Sequence, residues 1–276
     1  MNRPAGGKSY PMSAVLWLPA VVRALATALL VVLASALAES VGPFWGAFVA
    51  SMPMSAGPTY VFLAMQHEPD FVAASALTSC AANAAAGLFL IAYGLQPSNA
   101  PLWKSLGAAL LAWFAACLVI RQISWTPVTA LLANLVVFGA GSLLLSVVPR
   151  ENAKPVTLLK RQWFELPLRA IVVALFVTLV VGTSSMLGPD TTGIAAVFPI
   201  ILTSLIVILR RRIGGAAVTL FVANALRSML GFGLMLLALH LAIRPWGFTV
   251  AFLVALAVSA SWSGAMLALR TRTPSG

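Results

Sequence analysis

The sequence is poor in charged residues, and above all in acidic ones. Of 276 residues, six are Asp or Glu and 17 are Lys or Arg, so only 8% of the chain is charged. A soluble domain carries about a quarter of charged residues on average. A surface with so few charges cannot face water on all sides, and we therefore expect lipid to cover much of it.

Histidine and cysteine are also scarce, which argues against a metal site and a disulfide framework. Cys80 and Cys117 lie within apolar runs without a CxxC spacing, and the two histidines are His67 and His240. Such cysteines are most simply small core residues, and the spacing matches no zinc or redox motif. We predict no cofactor and no metal.

Common enzyme motifs are missing from the sequence as well. There is no HExxH, no G-x-S-x-G, no glycine-rich phosphate loop and no DDxxD pair within the apolar runs. The net charge of +11 does not indicate nucleic acid, because most basic residues stand at the ends of apolar runs. We predict a protein that is not an enzyme and binds no nucleic acid.

Long apolar runs are what the sequence has in abundance. Hydrophobic residues make up 61% of the chain, and about 20 apolar residues suffice for a helix to cross a bilayer. We predict an all-α integral membrane protein with about nine transmembrane helices. The predicted spans are 14–38, 44–65, 71–94, 102–121, 126–148, 167–187, 191–209, 215–241 and 247–269.

The first span has two interpretations. Residues 1–38 combine Arg3 and Lys8 with an apolar stretch that ends in Ala36-Leu37-Ala38, as in a cleaved secretory signal. The alternative is a retained first helix, which we favour because this span takes part in the internal repeat described below.

The basic residues predict the orientation of the spans in a bacterial inner membrane. Lys and Arg accumulate on the cytoplasmic side of membrane proteins, and most of them share one side if the N-terminus lies outside and the C-terminus in the cytoplasm. The inner side then receives Lys104, the basic loop 149–166, Arg169, Arg210–Arg212, Arg270 and Arg272, and the outer side Arg3, Lys8, Arg23, Arg121 and Arg244.

An internal repeat relates the two halves of the chain. Residues that rarely match by chance in apolar helices recur 146 and then 144 positions later. The pairs at 146 are Arg23-Ala24 with Arg169-Ala170, Gly42-Pro43 with Gly188-Pro189 and Pro53 with Pro199, and those at 144 are Gly87 with Gly231 and Pro101 with Pro245.

The repeat predicts two four-helix units joined by one further helix. An odd number of spans in the first part inverts the second unit, and inverted repeats are common in secondary transporters. The organisation is a tail 1–13, unit one 14–121, a linking helix 126–148, a basic loop 149–166, unit two 167–269 and a tail 270–276.

A short pattern in unit two suggests a family. Gly-x-x-x-x-Phe-Pro occurs at 193–199 and is followed by an apolar run, a charged loop and Gly214-Gly215. The chain resembles a fused tandem pair of the small four-helix bacterial membrane proteins of the GlpM type, a resemblance that implies no particular substrate. Unit one departs from the pattern at Ala47 and Met52.

A second, weaker resemblance rests on unit one. Gly42-Pro43-Phe44-Trp45-Gly46 is similar to the aromatic acid exporters of the fusaric acid resistance group. That group usually carries soluble parts, which the short hydrophilic segments of this sequence do not provide.

Two prolines predict breaks inside membrane helices. Pro53 and Pro199 each lie eleven residues after the glycine of a Gly-Pro pair, or about 16 Å along a helix and near the bilayer midplane. Proline interrupts helical hydrogen bonding, and the released carbonyl groups need partners or line a cavity. Packing kinks are one interpretation. The other is a substrate site whose nearby polar groups are Ser51, Ser55, Thr203 and Ser204.

Arg227 stands about midway along the eighth predicted span, next to Asn224. A charge at this depth is costly unless it is paired or faces a cavity, and the equivalent position in unit one is Asn83. Arg227 either binds an anionic group of a substrate or pairs with Glu39. Both interpretations remain open from the sequence.

Two acids stand beside the Gly-Pro pairs. Glu39 and Asp190 could couple transport to protons if burial raised their pKa values. The alternative is a structural acid at a helix start, which suits Asp190 best because it follows Gly188-Pro189 directly.

These observations favour a secondary transporter or exporter of a small organic solute, anionic or amphipathic, with its site at the repeat interface. A non-transporting accessory protein of an envelope or polysaccharide export machine is the main alternative, and a membrane-embedded lipid-modifying enzyme is disfavoured by the missing motifs. The expected partners are the lipid bilayer and an unidentified small molecule, and a homo-oligomer is left open.

Overall fold

The computed structural model describes residues 21–22, 24–29, 56–147 and 165–272, and no strand occurs within these ranges. Residues 21–22 and 24–29 are helical. The other helices are α1 (Ala56–Ala64), α2 (Pro69–Gly94), α3 (Leu102–Ile120), α4 (Pro127–Val147), α5 (Glu165–Ala196) and α6 (Ile200–Arg272).

Helices α5 and α6 turn sharply at three glycines. Gly188, Gly214 and Gly247 have φ values of 73°, 80° and 71°, a region that glycine adopts readily because it has no Cβ. We number the resulting segments α5a (165–187) and α5b (189–196), then α6a (200–213), α6b (215–246) and α6c (248–272).

By length and composition the chain is a multi-pass membrane protein. Five helical stretches within the described ranges are long and apolar enough to cross a bilayer, and the last two contain 42 and 53 residues. A straight helix of 42 residues would measure about 63 Å, roughly twice the hydrocarbon thickness. These two stretches therefore cannot be single crossings, and the glycine turns divide them.

The predicted spans can be compared with the helices where both are described. Spans 71–94, 102–121 and 126–148 agree within two residues with α2, α3 and α4. Span 191–209 differs, because it is interrupted at residues 197–199 between α5b and α6a. Most of span 14–38 and the first part of span 44–65 lie outside the described residues.

Helix α2 forms the centre of the described bundle. In its most apolar window 78% of the residues are buried, against 28% in α3 and 28% in α4. Its sequence is rich in Ala and Ser, and small side chains let neighbouring backbones approach closely in membranes. Helices α3, α4, α5 and α6 all pack against it.

Helices α2 and α6b cross in opposite directions. His240 Nδ1 lies 2.8 Å from the carbonyl oxygen of Ala73 near one end of the pair. Toward the other end, Asn83 Nδ2 donates to the carbonyl of Met229 at 2.9 Å. Because the α2 number rises as the α6b number falls, the two helices are antiparallel.

Candidate functional site at the interrupted helix

Helix α5b is attached to α2 by a polar stripe. Three hydroxyl groups of α2, spaced so that they share one helix face, donate hydrogen bonds to the first residues of α5b. The bonds are Ser75 Oγ to the Pro189 carbonyl at 3.0 Å, Thr78 Oγ1 to Asp190 Oδ1 at 2.8 Å and Ser79 Oγ to the Gly193 carbonyl at 2.6 Å. A polar helix–helix interface thus lies within an otherwise apolar bundle.

The closest approach in this interface is at Gly193. An added Cβ there would overlap the carbonyl oxygen of Ser75 and lie 3.1 Å from the backbone nitrogen of Ser79. Tyr60 of α1 extends the same network, because its buried hydroxyl donates to Ser79 Oγ at 2.6 Å. Glycine is therefore required at position 193 for α5b to reach the backbone of α2.

The helix interruption between α5b and α6a satisfies most of its own backbone groups. The amide nitrogens of Val197 and Phe198 donate to the carbonyls of Ile194 and Ala195 at 3.3 and 3.0 Å. The Pro199 carbonyl accepts from both the backbone nitrogen and Oγ1 of Thr203, at 2.9 and 2.7 Å. A break at Pro199 was predicted from the sequence, and the Thr203 side chain supplies the hydrogen bond expected near it.

Aromatic rings surround the interruption. Phe198 lies edge to face with Trp113 of α3 at a centroid distance of 5.0 Å, and Phe114 and Phe176 are also near it. The Trp113 indole N–H is buried and has no hydrogen-bond partner among the described residues. Buried indole groups usually find a partner, so this unpaired donor makes Trp113 a candidate site residue.

A second buried polar cluster joins α2, α4 and α6b. Asn83 Nδ2 donates to Asn134 Oδ1 at 2.8 Å, and Asn134 Nδ2 donates to the carbonyls of Cys80 and Ala130, both at 2.7 Å. Both asparagines are fully buried. The predicted site residue Asn83 therefore forms contacts between helices, and its partner Asn134 was not among the predicted site residues.

Arg227 lies apart from Asn83. Its side chain is exposed, and its backbone carbonyl accepts a hydrogen bond from the Trp262 indole at 3.2 Å. Asn224 is one turn away on the same helix and half-buried. The described structure thus brings Asn83 to α4 and leaves Arg227 on another face of α6b, so the two do not form one site.

The remaining predicted site residues fall into two groups. Pro53, Ser51, Ser55 and Glu39 lie outside the described residues. Asp190, Pro199 and Thr203 are described, and all three lie at α5b or at its junction with α6a. The carboxylate of Asp190 is exposed except for its bond from Thr78. It is in the first turn of α5b, where the helix dipole favours an acid.

Sequence reasoning did not assign Trp113 or Tyr60 to the site. The spacing of Ser75, Thr78 and Ser79 was the available signal for the interface, and these residues are indeed used in helix packing. The position of Trp113 deep within an apolar run was the available signal for it, although core packing was the favoured interpretation. Within the described ranges, no three His, Cys, Asp or Glu side chains are grouped closely enough to hold a metal ion.

Comparison with protein-family models, with curated proteins and with solved structures finds no match to this chain.

His67 connects the loop between α1 and α2 to the end of α5a. Its Nε2 lies 2.7 Å from Ser184 Oγ, and its ring stacks on Phe71 at 3.8 Å. Partial burial lowers the pKa of His67 below its ordinary value, because the charged imidazolium loses solvation.

This shift predicts a pH dependence of stability. A histidine whose pKa is lower in the folded state binds fewer protons there, so its contribution is complete above about pH 6.5 and decreases as the pH falls toward the folded-state pKa. We expect a small decrease in the thermal unfolding temperature in detergent between pH 7 and pH 5.5. His67→Gln keeps a hydrogen-bonding group and removes the titration, so an unchanged pH dependence in this variant would contradict the assignment.

Proposed function

We propose that this protein is a secondary transporter or exporter of a small organic solute, whose path runs beside the interruption between α5b and α6a. The observation that carries the proposal is the polar attachment of α5b to α2 next to that interruption. Transporters commonly build their sites from discontinuous helices near the bilayer midplane. Such hydroxyl contacts also stabilise helix packing, and here they hold the short segment α5b that leads into the interruption.

The depth of the attachment supports this reading. Thr78 is nine residues after the start of α2 at Pro69, which places it about 13 Å along the helix axis. With the start of α2 near the membrane surface, this depth is close to the middle of the roughly 30 Å hydrocarbon layer. The Asp190 carboxylate that Thr78 contacts is then an acid at membrane depth, and acids at this depth often mark a substrate or ion pathway.

The chemistry of the interruption favours a solute with an acceptor group. Trp113 offers a buried indole N–H, and the adjoining α6a begins at Ile200 with its positive dipole end toward the break. A carboxylate or phosphate would accept a hydrogen bond from the indole and would be stabilised by the positive end of α6a. We retain Arg227 as a second candidate for binding such an anion. Its side chain is exposed on α6b and is not part of the interruption.

We further propose nine crossings arranged as an inverted repeat, fused from two GlpM-type units. The third helix of each unit, α2 and the equivalent α6b, pack antiparallel to each other, as opposite orientations require. A two-fold axis that exchanges positions 144 apart in the sequence would pass between α2 and α6b. It would pass beside Asn83 and Arg227, near the middle of both helices. The position of the crossing supports an axis in the membrane plane.

Contacts between loops support the proposed orientation in a bacterial inner membrane. Arg244 pairs with Asp70 at 2.7 Å at one end of the bundle, and Arg210 donates to the Ser98 carbonyl at 2.9 Å at the other. These pairs group the loops on two sides as the predicted spans require, and the excess of Lys and Arg beside Arg210 is the argument for placing that side in the cytoplasm.

Cysteine labelling tests the orientation. The native cysteines, Cys80 and Cys117, are buried and give a low background. A cysteine introduced by Arg211→Cys is expected to react with an impermeant maleimide only from the cytoplasmic side, while one introduced by Arg121→Cys reacts from outside. The opposite pattern would reverse the proposed topology.

Transport is tested with the purified chain in proteoliposomes. We expect proton-gradient-driven movement of at least one member of a panel of radiolabelled small carboxylates and phosphate esters. Asp190→Asn is expected to reduce gradient-driven flux at least tenfold, because the negative charge at the start of α5b is lost. Asp70→Asn is the matched control, since Asp70 is 81% exposed in a surface pair and should leave flux unchanged.

Trp113→Phe separates solute binding from proton coupling. It keeps an aromatic ring against Phe198 and removes only the indole donor, so we expect a raised KM with gradient dependence retained. Absence of flux for the whole panel, or equal flux in Asp190→Asn and wild type, would overturn the transport proposal and favour the accessory-protein alternative.

A further inference from the structure

One end of the bundle concentrates positive charge. Arg210, at the end of α6a, donates to the Tyr93 hydroxyl at 3.1 Å and to the carbonyls of Ser98 and Ala100 in the loop between α2 and α3. These bonds attach the turn after α6a to that loop. Gly215 adjoins the same loop, where an added Cβ would overlap the Ser98 carbonyl oxygen.

The attachment brings exposed basic residues to the same end. Arg211 follows Arg210 on α6a, Lys104 lies in the first turn of α3, and both side chains are exposed. The acids Glu68 and Asp70 lie at the opposite end, at the start of α2. Positive charge here is therefore not balanced by either of these carboxylates.

An exposed tryptophan indicates that this end lies at the membrane surface. Trp103 is 72% exposed, and Lys104 Nζ lies 5.3 Å from its ring centroid. Tryptophan is enriched at the level of lipid headgroups. The exposed basic side chains consequently lie where lipid phosphates are found.

We propose that Lys104 and Arg211, positioned by Arg210, bind the phosphate of an anionic phospholipid headgroup. Guanidinium groups match phosphate geometry with two hydrogen bonds, and lysine adds a compact charge. Basic sites between membrane helices bind anionic headgroups in this way. The site is separate from the transport path and does not depend on the proposed transport activity.

The test measures lipid binding to the purified full chain in neutral detergent by native mass spectrometry. Phosphatidylglycerol is expected to bind more tightly than phosphatidylcholine. Arg211→Gln and Lys104→Gln are each expected to weaken phosphatidylglycerol binding about fivefold, since each removes one basic residue at the headgroup level. Inorganic phosphate at millimolar concentration is expected not to displace the lipid.

Arg121→Gln is the matched control. Arg121 is exposed and follows the opposite end of α3, so this variant has the same net charge as Arg211→Gln and is expected to bind phosphatidylglycerol as wild type does. Unfolding temperatures without lipid show that the variants are folded. The proposal fails if Arg211→Gln and Lys104→Gln bind normally, if Arg121→Gln loses as much affinity, or if phosphate alone displaces the lipid.

Discussion

Gly193→Ala is expected to lower the free energy of unfolding by about 3 kcal/mol, at the upper end of the usual cost of overpacking. The new Cβ would overlap the Ser75 carbonyl oxygen, a backbone atom that cannot turn away. Helix α5b would have to move from α2, and the bond from Ser79 Oγ to the Gly193 carbonyl would lengthen. Equilibrium unfolding in mixed micelles measures this loss.

Gly182→Ala, in the preceding segment α5a, provides the control. Nothing lies within 4 Å of the Cβ position at Gly182, and alanine favours the helix by up to about 1 kcal/mol. Stability is expected to stay equal or rise slightly. Ser75→Ala added to Gly193→Ala should not restore stability, because the overlap involves the backbone; rescue by this change would refute the packing explanation.

Asn134→Leu is expected to cost about 2 kcal/mol, as is typical when a buried hydrogen-bonding partner is removed. Asn134 is the acceptor for Asn83 and donates to the Cys80 carbonyl of the central helix. In this variant Asn83 would stay buried, and the Met229 carbonyl would be its one remaining hydrogen-bond partner among the described residues. The same unfolding measurement detects the loss.

The double variant Asn83→Leu/Asn134→Leu distinguishes the hydrogen bond from general packing. The loss of unfolding free energy in the double variant is expected to be about 1 kcal/mol smaller than the sum of the two single losses, because the effects of residues in contact are not additive. Ser146→Ala, an exposed change on the same helix α4, should be neutral within about 0.5 kcal/mol. Strict additivity of the two asparagine changes would show that their hydrogen bond contributes nothing.

The helical membrane class and several helix bounds could be predicted from the sequence because they follow from composition and from two residue types. Long apolar runs predict membrane helices, and their lengths matched α2, α3 and α4 within two residues. Gly188 and Pro199 also marked a turn and a break correctly. Each of these features depends on neighbouring residues alone, so no knowledge of distant contacts was needed.

The candidate site could be predicted only in part. Asp190, Pro199 and Thr203 were proposed from local signals, and the structure places Asp190 at the start of α5b and the other two at its junction with α6a. Asn83 and Arg227 were paired through the repeat, yet one is buried against α4 and the other is exposed. A repeat in the sequence predicts only a position along a helix, and it does not specify the residues packed around that position, such as Asn134 of α4 beside Asn83.

The sequence by itself determined that this chain is a bundle of membrane helices, with a turn at Gly188-Pro189 and a break at Pro199 among the described residues. The tertiary structure alone decided which polar residues meet: Ser75 and Ser79 with α5b, and Asn83 with Asn134. The physical reason is that α2 is buried on most sides. Its polar residues mark helix contacts, but they do not specify which helix each one meets, and for α5b the close approach allowed by Gly193 decides it.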